Sequence, residues 1–243
     1  MNERKYSMKR STVLLAACIS VVFTPAAFAG QAQSTTPSTA QESSAPTPTH
    51  PRTTHMTTDP ALLHPATLAA KAPETFDVKF TTTKGDFVVQ VTRAWAPVGA
   101  DRFYNLVKHG FFTDAAFFRV VPGFMIQFGL SANPAVNRVW QSANIKDDPS
   151  KQSNKPGYIT FATAGPNTRT TQLFINFGNN TFLDSQGFSP FGQVTSGMDV
   201  VQKLYSGYGE RPDQGSITSL GKPYLDKNFP DIDSIKSAAI VTP

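Results

Sequence analysis

Two neighbouring segments with a period of two residues constrain the fold more than any other part of the chain. Apolar residues occupy every second position of 76–80 and recur at the same period in 87–91. This alternation is typical of strands that bury one face. Lys84 and Gly85 lie between the segments as a turn signal, so the sequence predicts a β-hairpin.

The rest of the predicted domain consists mainly of short strands. Further strands are expected at 116–121, 124–128, 158–163, 172–176, 190–194 and 238–241. Pro97 is expected to begin a helix that ends at Gly110, because proline suits the first helical turn and glycine suits the C-terminal cap. Ser196 and Asp199 resemble a capping box, which predicts a second helix that Gly207 ends. Many short strands with only two helices indicate an all-β barrel or sandwich, and the pattern alone does not separate these two.

Residues 1–29 have the pattern of a secretory signal peptide. Basic residues at 4, 5, 9 and 10 precede a mostly apolar run, and an A-x-A site ends at Ala29. The apolar run is shorter than the roughly 20 residues that span a bilayer, so no membrane span is predicted. An alternative is a lipoprotein processing site at Cys18, which follows Leu15 and two alanines. We expect an exported, periplasmic protein, with secretion or a lipid anchor at Cys18 as the alternatives.

Residues 30–73 are predicted to be a disordered linker. They are rich in Ser, Thr and Pro and contain few large apolar residues, so they bury too little surface to offset the cost of ordering. The apolar positions of 61–70 leave docking onto the domain as an alternative. His50, His55 and His64 lie here, and scattered histidines in such a segment are more typical of solvated side chains than of metal ligands. No metal or cofactor is predicted, and the folded domain is assigned to 74–243.

Charge and cysteine content exclude several classes of function. The whole chain carries 22 basic and 17 acidic residues, and loss of residues 1–29 leaves a formal charge of +2. This excess is too small to indicate a nucleic-acid partner. Cys18 is the only cysteine, so cleavage after Ala29 removes any thiol nucleophile, disulfide or cysteine-based metal site.

A single cation lies within an apolar stretch at residues 117–127, which read FFRVVPGFMIQ. Burial of an unpaired arginine is costly, so Arg119 is expected to have a task or, as the alternative, a partner in a core ion pair. A second stretch, 163–177, sets Gln172 and Asn176 among large apolar residues. The two stretches together predict an apolar cleft with a few placed donors, which is the usual composition of a ligand site.

These stretches resemble the cyclophilin family of peptidyl-prolyl isomerases, over about residues 75–241 and in family order. The matching residues of the first stretch are Phe117, Arg119, 122–125 and Gln127. Those of the second stretch are Gly157, 161–162, 164–168, Gln172 and 174–175, and a third patch matches at 182–184, 191–194 and 197–201.

The resemblance implies a closed eight-stranded antiparallel barrel that two α-helices cap. It also implies which residues form the site. By resemblance the catalytic residues are Arg119, Phe124, Gln127 and Phe174. The substrate-binding residues implied in the same way are Met125, Ala162, Thr163, Gln172, Phe182, Leu183 and Phe188.

The implied reaction suits a site with one arginine and an apolar pocket. Rotation about an X-Pro bond has a barrier of about 18–20 kcal/mol that arises from amide resonance. As the bond twists, the prolyl nitrogen loses conjugation and regains a lone pair. An N–H of Arg119 is expected to donate to this lone pair, an interaction that the planar ground state does not offer.

The sequence departs from the family pattern at a few site positions. Phe182 stands where many members have tryptophan, and Phe188 stands where many have histidine. Because that tryptophan is linked to drug affinity in the family, weak cyclosporin binding is predicted. The sequence resembles that of a bacterial branch of the family at Trp140, 147–149 and 206–210.

Three functions are compatible with these features. The first is an exported peptidyl-prolyl isomerase, expected to be monomeric, that acts on proline-containing polypeptides and assists the folding of exported proteins. The second is a non-catalytic module that holds proline-containing segments as a chaperone or scaffold. The third is an envelope protein whose linker is the functional part.

Overall fold

The structure, a computed structural model, describes residues 58–241. The predicted signal peptide and residues 30–57 of the predicted linker lie outside the described residues. The strands are β1 (Thr75–Thr82), β2 (Gly85–Thr92), β3 (Arg119–Val121), β4 (Met125–Phe128), β5 (Tyr158–Phe161), β6 (Leu173–Asn176), β7 (Gly192–Ser196) and β8 (Ile235–Val241). The helices are α1 (Pro97–Lys108), α2 (Pro134–Trp140), α3 (Met198–Gln202), α4 (Gln214–Leu220) and α5 (Lys222–Asn228).

The eight strands form one sheet in the order β3-β4-β6-β5-β7-β2-β1-β8. Every pairing is antiparallel, which confirms the predicted architecture. The sheet curls until the chain ahead of β3 meets the beginning of β8. There the Ile235 N–H donates to the Ala115 carbonyl at 2.9 Å, and the Phe117 N–H donates to the Asp233 carbonyl at 3.0 Å. The two edge strands, β3 and β8, are therefore not paired along their lengths, and only a short bridge joins the two edges of the sheet. The barrel that was predicted to be closed is thus a curled sheet.

Phenylalanine side chains fill the inside of the curled sheet. Phe80 and Phe87 face each other across the β1–β2 hairpin with ring centroids 4.8 Å apart. Phe103 of α1 and Phe128 of β4 pack onto Phe80. All four are almost fully buried, so the alternation read from the sequence produces the core.

The helix prediction is correct for two helices and incomplete for the rest. The helix that Pro97 begins is α1, and Gly110 follows its end with a positive φ of 69°. The capping box at Ser196 is wrong, because Gly197 with φ 78° precedes α3 and no side chain among the described residues caps it. The predicted end at Gly207 is wrong as well, because α3 ends at Gln202. Three further helices, α2, α4 and α5, were not predicted.

The long polar connection between β4 and β5 stabilises the beginning of α1. Asp148 is buried, and its carboxylate accepts hydrogen bonds from the N–H groups of Val98 and Gly99, both at 2.9 Å. Arg169 donates to the same carboxylate through Nη1 at 3.1 Å. A negative charge at a helix N-terminus is favourable, so Asp148 caps α1 from 50 residues away.

Residues 58–73 are part of the folded domain, and the prediction of disorder is wrong for them. Leu62 is buried at 2 % exposure, and its carbonyl accepts a hydrogen bond from the Trp140 indole at 2.8 Å. The Ala70 N–H donates to Oδ1 of Asn105 on α1, and Nδ2 of Asn105 donates to the Ala70 carbonyl. The segment therefore docks, as the alternative reading allowed. Among residues 58–241, no helix combines the length and the apolarity that crossing a bilayer requires.

Candidate active site

The candidate site lies on the outer face of β4 and β6. Side chains of a strand alternate between its two faces. In β4, Ile126 and Phe128 lie in the main core, so Met125 and Gln127 point to the other side. Phe174 of β6 lies opposite Gln127 in the register of the two strands. The sheet thus brings the two sequence stretches together on one surface.

A row of polar side chains crosses this surface. Arg119 of β3 is paired in register with Gln127 of β4, and its Nη1 donates to Gln127 Oε1 at 3.2 Å. Gln127 Nε2 donates to Gln172 Oε1 at 2.7 Å. The Gln127 amide thus accepts from Arg119 and donates to Gln172, which fixes its own direction. Gln127 therefore orients the Arg119 guanidinium.

Arg119 also forms an ion pair with Glu210, a residue of the loop between α3 and α4. The Nε of Arg119 donates to Glu210 Oε1 at 2.5 Å, and the Nη2 atom contacts the same oxygen. The side chains of Arg119 and Glu210 are 31 % and 62 % exposed. The alternative of a core ion pair is therefore correct in giving Arg119 an acidic partner but wrong about burial, because this pair lies at the surface.

Arg119 borders a cluster of apolar side chains on the same face. Met125, Phe174 and Leu183 form its buried part. Partly buried residues pack around them: Val121, Phe124, Ala162 and Phe188. The guanidinium carbon of Arg119 lies 6.0 Å from the centre of the Phe124 ring. A cation is thus held at the edge of an apolar surface.

A tight turn places Phe124. The Phe124 N–H donates to the Val121 carbonyl at 3.0 Å, and Gly123 between them has φ 75°. Pro122 ahead of a glycine with positive φ is the signature of a type II turn. The Asn180 side chain donates to the Phe124 carbonyl at 2.8 Å, which fixes the residue on its other side.

The segment Thr181–Gln186, a short 3-10 helix, forms one wall of the cluster. Phe182 stacks on Phe124 with ring centroids 6.1 Å apart and is 55 % exposed. Phe188, just after this segment, meets Phe174 edge-on at 5.6 Å. Phe182, Leu183 and Phe188 therefore border the cluster next to Phe124 and Phe174.

Comparison with protein families identifies the architecture. The model of the cyclophilin type peptidyl-prolyl cis-trans isomerase/CLD family matches residues 77–222, more than half of the chain. The chain belongs to this family. Residues 77–222 are thus a cyclophilin-type peptidyl-prolyl cis-trans isomerase domain.

Individual relatives agree with this assignment. A peptidyl-prolyl cis-trans isomerase of Acinetobacter baylyi is 35% identical over 133 residues, which cover 52% of this chain and 70% of the relative. One of Rhizopus delemar is 35% identical over 156 residues, which cover 63% of this chain and only 23% of the relative.

A solved structure supports the fold. The crystal structure of a Cryptosporidium parvum cyclophilin-type isomerase has a TM-score of 0.54 and 19% identity, and the match covers 70% of this chain and 99% of that one. A second structure of that protein was determined in the presence of the dipeptide Ala-Pro.

The remaining predicted site residues of this cyclophilin lie at the start of the loop after β5. Ala162 packs against the apolar cluster, and its N–H donates to the Gln172 carbonyl at 2.9 Å. Thr163 is partly buried, and its hydroxyl bonds with that of Thr168 at 2.9 Å. Thr163 therefore shapes the loop, and Ala162 and Gln172 edge the site.

Two features of the site were not predicted from sequence. Glu210 was noted only as part of a resemblance to a bacterial branch, without a role. Asp184 supports the wall segment: it accepts hydrogen bonds from the N–H and side chain of Asn154 at 2.9 and 2.8 Å, and another from Ser153. Burial raises the pKa of the Asp184 carboxyl, but these hydrogen bonds outweigh burial and hold the pKa below its ordinary value.

A cavity of about 470 Å³ adjoins the Arg119–Glu210 pair. It shares Val121 with the apolar cluster. Its lining residues are Val120, Val121, Pro122, Ser206, Gly209, Glu210 and Arg211.

Proposed function

We propose that this cyclophilin domain catalyses rotation about X-Pro bonds with Arg119 as the catalytic residue. The observation that carries the proposal is the placement of the Arg119 guanidinium at the edge of the Met125–Phe174–Leu183 cluster. Such a cluster suits a pyrrolidine ring, which is apolar and compact. The polypeptide residues ahead of the proline would extend along Ala162, Thr163 and Gln172.

The mechanism requires an N–H of Arg119 that is free to reach the substrate. A guanidinium has five N–H groups. In the structure Nε, Nη2 and Nη1 each direct one N–H to Glu210 or Gln127, which leaves two without a protein acceptor among residues 58–241. One of these can donate to the prolyl nitrogen when it becomes pyramidal.

The size of this contribution follows from the charge on the donor. A hydrogen bond from a charged group contributes about 1.5–3 kcal/mol, which corresponds to roughly a tenfold to hundredfold rate increase. The remaining acceleration comes from holding the ring in the cluster and the bond in one twisted geometry. Gln127 contributes by fixing the direction of the guanidinium.

The test is the turnover of a short Ala-Pro peptide in a protease-coupled isomerisation assay. Arg119→Ala should lower kcat/KM about tenfold to a hundredfold while the circular dichroism spectrum stays unchanged. The matched control is Arg138→Ala, because Arg138 is an exposed arginine on α2, and it should keep full turnover. Near-normal turnover in Arg119→Ala would refute the mechanism. Peptide binding by the unmodified protein without any rate increase would favour the non-catalytic binding module.

We also propose that the protein acts outside the cytoplasm on exported polypeptides. The proposal is supported by the basic start, the apolar run and the A-x-A site of residues 1–29. N-terminal sequencing of the protein from a periplasmic fraction should begin at Gly30. A lipid-modified start at Cys18 would indicate anchoring, and an intact start in the cytoplasm would contradict export.

A further inference from the structure

Glu210 reaches the candidate active site from a part of the chain that is 91 residues away in sequence. It lies on the loop 206–211, which follows α3 and which we call the Glu210 loop. The contact uses the Nε side of the guanidinium, and Gln127 binds at Nη1. The two acceptors thus hold the guanidinium from different sides.

The Glu210 loop is fixed to the strand that carries Arg119. The Val120 N–H donates to the Gly209 carbonyl at 3.1 Å, directly next to both members of the ion pair. Within the loop, Arg211 donates to the Gly207 carbonyl at 2.9 Å and lies 5.0 Å above the ring of Tyr208. The backbone therefore sets the position of Glu210, although its side chain is exposed.

Tyr208 ties the loop to the end of the domain. Its ring packs edge-on against Phe229 at 5.1 Å, and its hydroxyl donates to Asp231 at 3.0 Å. A surface ion pair between two mobile side chains usually contributes little. Here the carboxylate is attached to a loop that is held on both sides, so the pair restricts the orientation of Arg119.

We propose that Glu210 is a positioning residue for Arg119. By holding the guanidinium, Glu210 directs the two remaining N–H groups of Arg119 toward the apolar cluster. This inference rests on the proposed function of Arg119 and names a further residue on which the same reaction depends. The Glu210 carboxylate touches neither the cluster nor the substrate in this scheme. Its effect is transmitted entirely through the guanidinium.

The first test compares Glu210→Gln and Glu210→Ala with the unmodified protein on an uncharged Ala-Pro peptide. Glu210→Ala should lower kcat about threefold to tenfold with little change in KM, because a misdirected donor mainly affects the twisted transition state. Glu210→Gln keeps one acceptor oxygen, so its kcat should lie between that of Glu210→Ala and that of the unmodified protein. The control is Asp199→Ala, which removes an exposed carboxylate of α3 that pairs with Lys203 and should leave turnover unchanged.

The second test asks whether the effect passes through Arg119. In the Arg119→Ala background, addition of Glu210→Ala should cause no further loss of kcat. An equal loss in both backgrounds would mean that Glu210 acts independently of Arg119, and the inference would be overturned. Turnover of Glu210→Ala at or above that of the unmodified protein would also overturn it, since the pair would then be idle or inhibitory.

A spectroscopic measurement tests the geometry without relying on turnover. The Arg119 Nε–H signal in a ¹⁵N-edited NMR spectrum should show slow exchange with water in the unmodified protein and fast exchange in Glu210→Ala. Asp199→Ala should leave the signal unchanged. If the unmodified protein lacks turnover, the proposed function fails. If turnover depends on Arg119 but either kcat or the Nε–H signal is unaffected by Glu210→Ala, only this inference fails.

Discussion

Phe182 is an aromatic side chain that stays more than half exposed while it stacks on Phe124. The exposed ring extends the apolar surface next to Phe124 and the buried Leu183. It carries no polar atom, so it can contact a ligand only through its hydrocarbon surface. Where family members have tryptophan, an indole N–H is available at this position as a hydrogen-bond donor.

This difference predicts weak cyclosporin binding that one substitution strengthens. Phe182→Trp should increase affinity roughly twofold to tenfold, because a new hydrogen bond contributes about 0.5–1.5 kcal/mol. Inhibition of peptide turnover by cyclosporin measures the effect. Leu220→Trp is the control, since Leu220 is equally exposed on α4. Equal inhibition of Phe182→Trp and the unmodified protein would contradict the prediction.

At the residue scale, sequence reasoning brought together the residues that lie in matched motifs. Arg119, Gln127 and Phe174 lie side by side because strand alternation and register put them there. Glu210 could not be assigned a role in the same way. Its contact depends on the path of a loop, and an exposed glutamate in a polar stretch has no local pattern that distinguishes it from a solvated one.

The wall segment Thr181–Gln186 is held in place by the carboxylate of one of its own residues, Asp184. The hydrogen bonds to Asp184 connect the wall to Asn154 in the connection before β5. Asn154 in turn donates to the Phe188 carbonyl at 3.0 Å. Loss of this carboxylate would loosen the wall without removing any side chain that faces the cluster.

Asp184→Asn should therefore reduce stability in a pH-dependent manner. Because the folded pKa of Asp184 lies below its ordinary value of 3.8, its stabilisation is complete above the unfolded pKa and is lost as the pH falls through the folded pKa. At pH 7 the substitution should lower the free energy of unfolding by about 1–2 kcal/mol, and the difference should shrink below about pH 4. Urea denaturation at several pH values provides the measurement.

The matched control for this experiment is Asp226→Asn. Asp226 is an exposed carboxylate on α5 that pairs with Lys222, so its replacement should change stability by less than about 0.5 kcal/mol. A difference between unmodified protein and Asp184→Asn that stays constant from pH 7 to pH 3 would show that the ionised carboxylate is not the cause.

Element prediction succeeded where periodicity was strong and failed where it was weak. The β1–β2 hairpin and α1 have regular apolar positions and were predicted nearly to their ends. In α4 the sequence QGSITSL has little helix propensity, and the helix depends on the Asp213 side chain, which accepts from the Ser216 N–H at 2.7 Å. For α2, Asn133 ahead of Pro134 was a readable start signal, so that helix could have been found.

On the scale of the whole molecule, the domain begins earlier than composition indicates. Residues 58–73 contain three prolines and only three large apolar residues, a composition that indicates disorder, yet they bond to residues 29–78 positions away. Such long-range contacts leave no local signature in the segment itself. Asp59 shows the same relation, because it bonds to His109 at the end of α1 at 2.7 Å.

Leu62 provides the apolar part of this docking, and its contribution can be measured in the full chain. Leu62→Ala should lower the free energy of unfolding by about 2–3 kcal/mol, since the removed methyl groups lie in the core and leave a cavity. Leu63→Ala is the control, because Leu63 is the adjacent residue and is exposed, and its effect should stay below about 0.5 kcal/mol. Urea denaturation gives both values, and kcat/KM at low temperature should be unchanged in both variants. If the two substitutions cost the same, residues 58–73 do not fold as part of the domain, and the boundary belongs near residue 74.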